Sequence, residues 1–83
     1  MQKTLVALEV PAIGESFEVM IPPQLSIREL SACLAQAVEE LTEGRYRASG
    51  NEFLCSSDRG ELLQEASSAA HYGIQNGEHL LLI

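Results

Sequence analysis

Several residue types that common functional classes depend on are scarce in this sequence. Its 83 residues include no Trp, two Phe, two Tyr, two Cys and five Lys and Arg, against twelve Asp and Glu. With so few cations, the clustered positive charge that binds nucleic acid or an anionic membrane is missing. No run approaches the ~20 apolar residues of a membrane-spanning helix. We expect a soluble, cytoplasmic chain whose formal charge of −7 is compatible with a basic protein partner.

Residues for catalysis and for metal binding are also few. Cys33 and Cys55 do not have a metal-ligand spacing, and two cysteines cannot form a disulfide framework. The general-base candidates in the neutral range are His71 and His79, and no Ser/His/Asp order or glycine-rich phosphate loop accompanies them. The segment before the first apolar run is too short for a signal peptide. The sequence therefore predicts no enzymatic activity, no cofactor and no metal site.

The first half of the chain has the clearest periodic patterns. Alternating or continuous apolar residues predict strands over 4–10 and 16–21, joined by a short turn as an antiparallel hairpin. The tetrapeptide that begins at Ser26, Ser-Ile-Arg-Glu, has the pattern of a capping box. Apolar residues at helical spacing then predict an amphipathic helix over about 26–43, with Gly44 at its C′ position.

The second half is predicted to have shorter elements. Strands are expected over 52–56, 62–63 and 79–83, with one turn of helix within 66–72. This order predicts the α+β class: a mixed sheet of four to five strands packed on one amphipathic helix, with the last strand beside the first. That arrangement is a β-grasp. We expect it to form a single domain over residues 1–83, since 46% apolar residues suffice for one small core.

The order of elements and the residues at two joints resemble ubiquitin-like proteins along the whole chain. The joints are the passage into the helix, PPQLSIREL at 22–30, and the ending YGIQNGEHLLL at 72–82. Within that group the chain is most similar to the YukD/EsaB family, small proteins that accompany type VII (WXG100) secretion in Gram-positive bacteria. The resemblance implies a cytoplasmic accessory or regulatory protein that is not conjugated. One departure is Ala69, where the family often has Leu four residues before Gly-Ile.

A contact surface is the remaining candidate for a functional site. If Val6, Leu8 and Val10 face the helix, their neighbours face the other side of the sheet. The open face of the sheet is then predicted to gather Leu5, Ala7, Leu54, Leu81, Ile83 and His79. A one-residue shift in the third strand would expose Phe53 and Cys55 instead. We predict that this face binds a protein, with a homodimer through the same face as an open alternative.

Two other functions stay open at this stage. Sulfur carriers and ubiquitin-like modifiers activate a mobile C-terminal Gly-Gly carboxylate, whereas this sequence stops at the β-branched Ile83. The chain is therefore predicted to be non-conjugating. It would be a carrier or modifier if a Gly-Gly tail followed this sequence. It would be the ubiquitin-like adaptor domain of a larger protein if the open reading frame were longer.

Overall fold

A computed structural model describes residues 3–83, and the strands found there form one five-stranded sheet. The elements are β1 (Thr4–Val10), β2 (Glu15–Ile21), α1 (Ile27–Leu41), β3 (Leu54–Ser56), β4 (Glu61–Leu62), α2 (Ala69–Tyr72) and β5 (Glu78–Leu82). The strand order is β2-β1-β5-β3-β4. The β1–β5 pair is parallel and the other pairs are antiparallel. The predicted mixed sheet, with the last strand beside the first, is confirmed.

The helix α1 begins where the sequence predicts. The Ser26 hydroxyl oxygen accepts a hydrogen bond of 3.1 Å from the Glu29 amide, and the same hydroxyl donates to the Glu29 carboxylate at 3.1 Å. Ser26 therefore caps the helix as the capping-box pattern predicts, while Glu29 reaches back to the Ser26 hydroxyl rather than to its backbone amide. Further along, Leu34 is buried, whereas Leu41 on the same apolar arc is 61% exposed. The core thus ends about one turn before the helix does.

The C-terminal end of α1 differs from the prediction by one residue. The C-cap is Thr42, so that Glu43, with φ 52°, occupies the C′ position predicted for Gly44. Gly44 follows at C″ and donates a 3.0 Å hydrogen bond to the Glu39 carbonyl, as in a Schellman motif. Thr42 is held at the cap because its hydroxyl accepts the Tyr46 amide at 3.1 Å.

The core lies between α1 and one side of the sheet and is almost wholly aliphatic. Tyr46 is the aromatic member among its buried residues, as the scarcity of aromatics in the sequence requires. The apolar strand and helix residues exposed by 1% or less are Val6, Leu8, Val10, Ile21, Ile27, Leu30, Ala35, Val38, Leu54, Ala69, Leu80 and Leu82. The inward set Val6, Leu8 and Val10 is the predicted one, so the opposite side of β1 is open.

The connection between α1 and β3 is organised by the carboxylate of Glu52, which is buried. It accepts hydrogen bonds from the Tyr46 hydroxyl at 2.9 Å, the Ser49 amide at 2.6 Å and the Gly50 amide at 3.0 Å. Burial by itself would raise the pKa of Glu52. The donated hydrogen bonds, the Ser49 amide foremost, outweigh burial and hold the pKa below its usual value. Burial, followed by the bond to Glu52, raises the pKa of Tyr46 to about 12.

Arg59, in the turn between β3 and β4, forms hydrogen bonds that hold the start of β5 in place. Its Nε donates to Glu78 at 2.8 Å, and its Nη1 donates to the Tyr72 carbonyl at 2.6 Å. Burial would raise the pKa of Glu78, but hydrogen bonding, with Arg59 as the strongest donor, lowers it overall. The guanidinium thereby ties together the turn, the end of α2 and the last strand.

Candidate functional site: the open face of the sheet

The open face of the sheet, the side away from α1, is formed by the residues that alternate with the core positions. Across β2, β1 and β5 the opposed residues are Met20 and Leu5; Glu18, Ala7 and His79; and Ser16, Glu9 and Leu81. Cys55 of β3 continues the last row, because it lies opposite both Leu81 and Leu62. Phe53 and Ile83 extend the pairing by exchanging backbone hydrogen bonds of 2.6 and 2.9 Å.

Most of the residues predicted for the open face lie on it. They are Leu5, Ala7, His79, Leu81 and Ile83. The placement of Leu54 is wrong, since its side chain is fully buried in the core. The physical reason is register: Cys55 is the residue opposite Leu81, so its neighbour Leu54 points towards α1. The one-residue shift that exposes Phe53 and Cys55 is the arrangement observed. A role of this face in binding stays a prediction.

Five apolar residues of the open face gather at its β5–β3–β4 side and are here called the apolar cluster. They are Phe53, Cys55, Leu62, Leu81 and Ile83. Phe53 is 46% exposed, and Leu62 and Ile83 are each 55% exposed. Leu81 and Cys55 are half-buried between them. Phe53 and Ile83 are direct neighbours, and Leu62 and Leu81 both lie opposite Cys55. The five side chains therefore form one hydrophobic area rather than isolated surface residues.

A polar band separates the apolar cluster from a second, smaller apolar pair formed by Leu5 and Met20. The band contains Glu18 and His79, which flank Ala7 on either side. The Asp58 carboxylate accepts the His79 amide at 2.9 Å, and its Oδ1 lies 3.2 Å from His79 Nδ1. These contacts, the amide hydrogen bond first, keep the pKa of Asp58 below its ordinary value. The open face therefore has two apolar areas with negative charge between them.

Sequence reasoning missed Met20 and Leu62 as members of the open face. Met20 could have been found, because strict alternation in β2 places it on the side of Ser16 and Glu18. Leu62 could not, because β4 has only two residues and so shows no alternation. Its position follows from its pairing with Cys55, which is known only from the tertiary structure.

The candidates for catalysis and metal binding are spread over the molecule. Cys33 is exposed on α1, and His71 lies on α2 with its ring edge-on to that of Tyr72 at 5.7 Å. Cys55 and His79 share the open face, but no hydrogen bond links them in the described structure. Within residues 3–83, no group of three or more His, Cys, Asp or Glu side chains could hold a metal ion. In the same residues no helix has the length and apolarity to cross a membrane.

Solved structures similar to this chain include several ubiquitin-like domains. The EccD5 ubiquitin-like domain from Mycobacterium xenopi is 20% identical, with a TM-score of 0.79 over 100% of this chain and 94% of that chain. The ubiquitin-like domain of the Mycobacterium tuberculosis type VII secretion system protein ECCD1 is 15% identical, with a TM-score of 0.78 over 100% and 99%. The Plasmodium falciparum Dsk2 domain is 21% identical, with a TM-score of 0.69 over 99% and 100%.

These likenesses and the strand order show that the chain has a ubiquitin-like β-grasp fold, as predicted. No protein-family model and no curated protein matches the chain. The narrower resemblance to the YukD/EsaB family therefore stays a prediction. At 15 to 21% identity, the similarity to solved structures establishes the fold and does not transfer a function.

Proposed function

We propose that this chain is a non-conjugating ubiquitin-like module that binds another protein through the open face of its sheet. The observation that carries the proposal is the apolar cluster, in which Phe53, Leu62 and Ile83 are each about half exposed. Phe53 is paired with Ile83, and Leu62 is connected to them through its pairing with Cys55. Protein interfaces commonly have such an apolar centre within a polar rim.

The charge around the apolar cluster defines the kind of partner. Glu18 lies in the polar band beside the apolar cluster, Asp58 contacts His79 of the same band, and the chain as a whole carries a formal charge of −7. A partner that presents aliphatic side chains with Lys or Arg beside them would match both the cluster and its border. A second copy of this chain would instead bring like charges together, so we favour a basic protein partner over a homodimer.

The non-conjugating part of the proposal rests on the resemblance of the sequence to the YukD/EsaB family. The backbone of Ile83 continues the ladder between β5 and β3, since its amide and carbonyl are both hydrogen-bonded to Phe53, at 2.9 and 2.6 Å. The alternative is a sulfur carrier or modifier, which requires a Gly-Gly tail after this strand. The full open reading frame distinguishes the two.

The setting we propose is a bacterial type VII secretion system, with the chain as a cytoplasmic accessory or regulatory component. Two things support this setting. One is the resemblance of the sequence to the YukD/EsaB family. The other is the full-length structural similarity to the ECCD1 domain, which belongs to a type VII secretion system protein. The partner would then be another component of that system. The adaptor domain of a larger protein is the alternative, which the length of the open reading frame distinguishes.

A pair of matched leucine variants tests the open face. Leu62→Asp places a charge in the apolar cluster, and Leu41→Asp places the same charge at an equally exposed position on α1. Binding to purified type VII components encoded in the same genome is measured by calorimetry. We expect Leu62→Asp to weaken binding by at least about tenfold and Leu41→Asp to leave it unchanged. Equal affinities for the two variants would overturn the proposed surface.

The same binding series tests the setting separately from the surface. If wild-type chain binds none of the secretion components, the type VII assignment is wrong. Cross-linking from Leu62 and Leu41 positions in cells then identifies the true contacts of each side. Partners captured from Leu62 and not from Leu41 would support the surface even with the setting rejected.

A further inference from the structure

The edge strand β2 is less completely covered than its neighbour β1. On β1 the inward residues Val6 and Leu8 are fully buried. The residues directly opposite them on β2 are Val19 and Phe17, which pack on the same core but are only half-buried. The difference arises because β2 has no further strand on its other side. A strand added beside β2 would complete the burial of these two side chains.

The backbone of β2 also has unused hydrogen-bonding groups. The Leu5 amide donates to the Asn76 side chain at 2.8 Å, and the Leu5 carbonyl accepts from Gly77 at 2.8 Å. Leu5 and the residues in phase with it therefore point their backbone groups towards β5, not towards β2. Their partners on β2, which are Met20, Glu18 and Ser16, must point theirs away from the sheet. No hydrogen bond in the described part of the chain occupies these outward groups.

Charge on β2 distinguishes between possible occupants of this edge. Glu15 is ion-paired with Arg45, whereas Glu18 has no ion-pair partner within residues 3–83. A second copy of the chain would bring another −7 charge to the same edge. A segment with Lys or Arg opposite Glu18 would gain a favourable cross-strand pair. The charge of this edge therefore favours pairing with a cationic strand and disfavours pairing with β2 of a second copy of the chain.

We propose that β2 is a strand-addition site for an extended basic segment of a partner protein. The segment pairs its backbone with the outward groups of Ser16, Glu18 and Met20. Its side chains alternate, with Lys or Arg next to Glu18 on the open-face side and aliphatic residues next to Phe17 and Val19 on the helix side. This site is separate from the apolar cluster, so experiments can disprove binding at one of them without disproving binding at the other.

The test uses two synthetic peptides of opposite charge. Acetylated and amidated Lys-Val-Lys-Val-Lys-Val is the probe, and Glu-Val-Glu-Val-Glu-Val is its control. Amide hydrogen exchange is followed by NMR. We expect the basic peptide to slow exchange at Ser16, Glu18 and Met20 by about tenfold or more. Exchange at Phe17 and Val19 should not change, because their amides are already bonded to β1. The acidic peptide should have no effect.

Substitutions at Glu18 separate the backbone from the charge. Glu18→Pro removes an outward N–H without removing a bond to β1, so it should retain the fold and abolish binding of the basic peptide. Glu18→Gln keeps the N–H and should weaken binding several-fold. If Glu18→Pro does not fold, N-methylation of alternate peptide residues replaces it. Methylation at one set of residues should abolish binding, and methylation at the other set should not.

Three results would overturn the proposal. One is equal binding of the basic and acidic peptides. Another is binding without any slowing of exchange at Ser16, Glu18 and Met20, with shifts confined to the apolar cluster. The third is slow exchange at these amides in the absence of peptide that depends on protein concentration. That result would assign the edge to a second copy of the chain.

Discussion

The two sides of the sheet contrast most clearly within β5. Leu80 and Leu82 face α1 and are fully buried, whereas Leu81 between them is half-buried on the open face. Ile83, directly after them, is 55% exposed. All four residues are aliphatic, so hydrophobicity alone does not separate them. The helix makes one side a core, and the same chemistry on the uncovered side remains available for contact with another protein.

The largest expected effect on stability comes from a substitution on the core side of the sheet. Leu54→Ala removes a fully buried side chain and should lower the free energy of unfolding by about 2–5 kcal/mol. Leu62→Ala removes the same atoms from the open face and should cost less than about 0.5 kcal/mol. Urea denaturation followed by circular dichroism measures both. Equal losses would show that the two sides of the sheet are not different in the way described.

A second substitution tests the buried carboxylate of Glu52, in the connection between α1 and β3. Glu52→Gln replaces an acceptor of several hydrogen bonds by an amide that cannot accept all of them. We expect a loss of about 1–3 kcal/mol in the free energy of unfolding and faster amide exchange at Ser49 and Gly50. The exposed Glu61→Gln is the matched control. If both variants unfold at the same urea concentration, Glu52 does not organise this connection.

The pH dependence of stability should follow the same carboxylates. The pKa values of Glu52 and Glu78 are lower in the folded chain than in the unfolded one. Their contribution is therefore complete above the unfolded pKa of about 4.3 and is lost as pH falls through the lower folded values. Denaturation midpoints measured between about pH 6 and 3 should decline, and more gently in Glu52→Gln. An unchanged slope in that variant would contradict the assignment.

The smallest expected effect is a difference in cysteine reactivity between the open face and the helix. Cys55 belongs to the apolar cluster, whereas Cys33 is exposed on the outer side of α1. Bound partner should slow alkylation of Cys55 several-fold and leave Cys33 unchanged. Mass spectrometry of the iodoacetamide-treated complex gives both rates in one sample. Protection of Cys33 instead would place the partner on the helix.

Much of the fold could be predicted because it depends on local patterns. The alternation in β1 and β2, the capping box at Ser26 and the turn before β5 each have a physical cause within a few residues. The register of β3 could not be predicted in the same way. Phe53, Leu54 and Cys55 are consecutive and all apolar, so a shift by one residue leaves the pattern equally plausible. The end of α1 was missed by one residue, because the Tyr46 amide bonds to the side chain of Thr42.

The amino-acid sequence by itself determined which segments become strands and helix, because periodicity and capping are properties of neighbouring residues. It also determined the negative charge and the scarcity of cationic residues. Only the tertiary structure decided that Leu54 is buried while Phe53 and Leu62 are exposed. That choice depends on the pairing of Cys55 with Leu81, two residues far apart in the chain, and on α1 covering one side of the sheet.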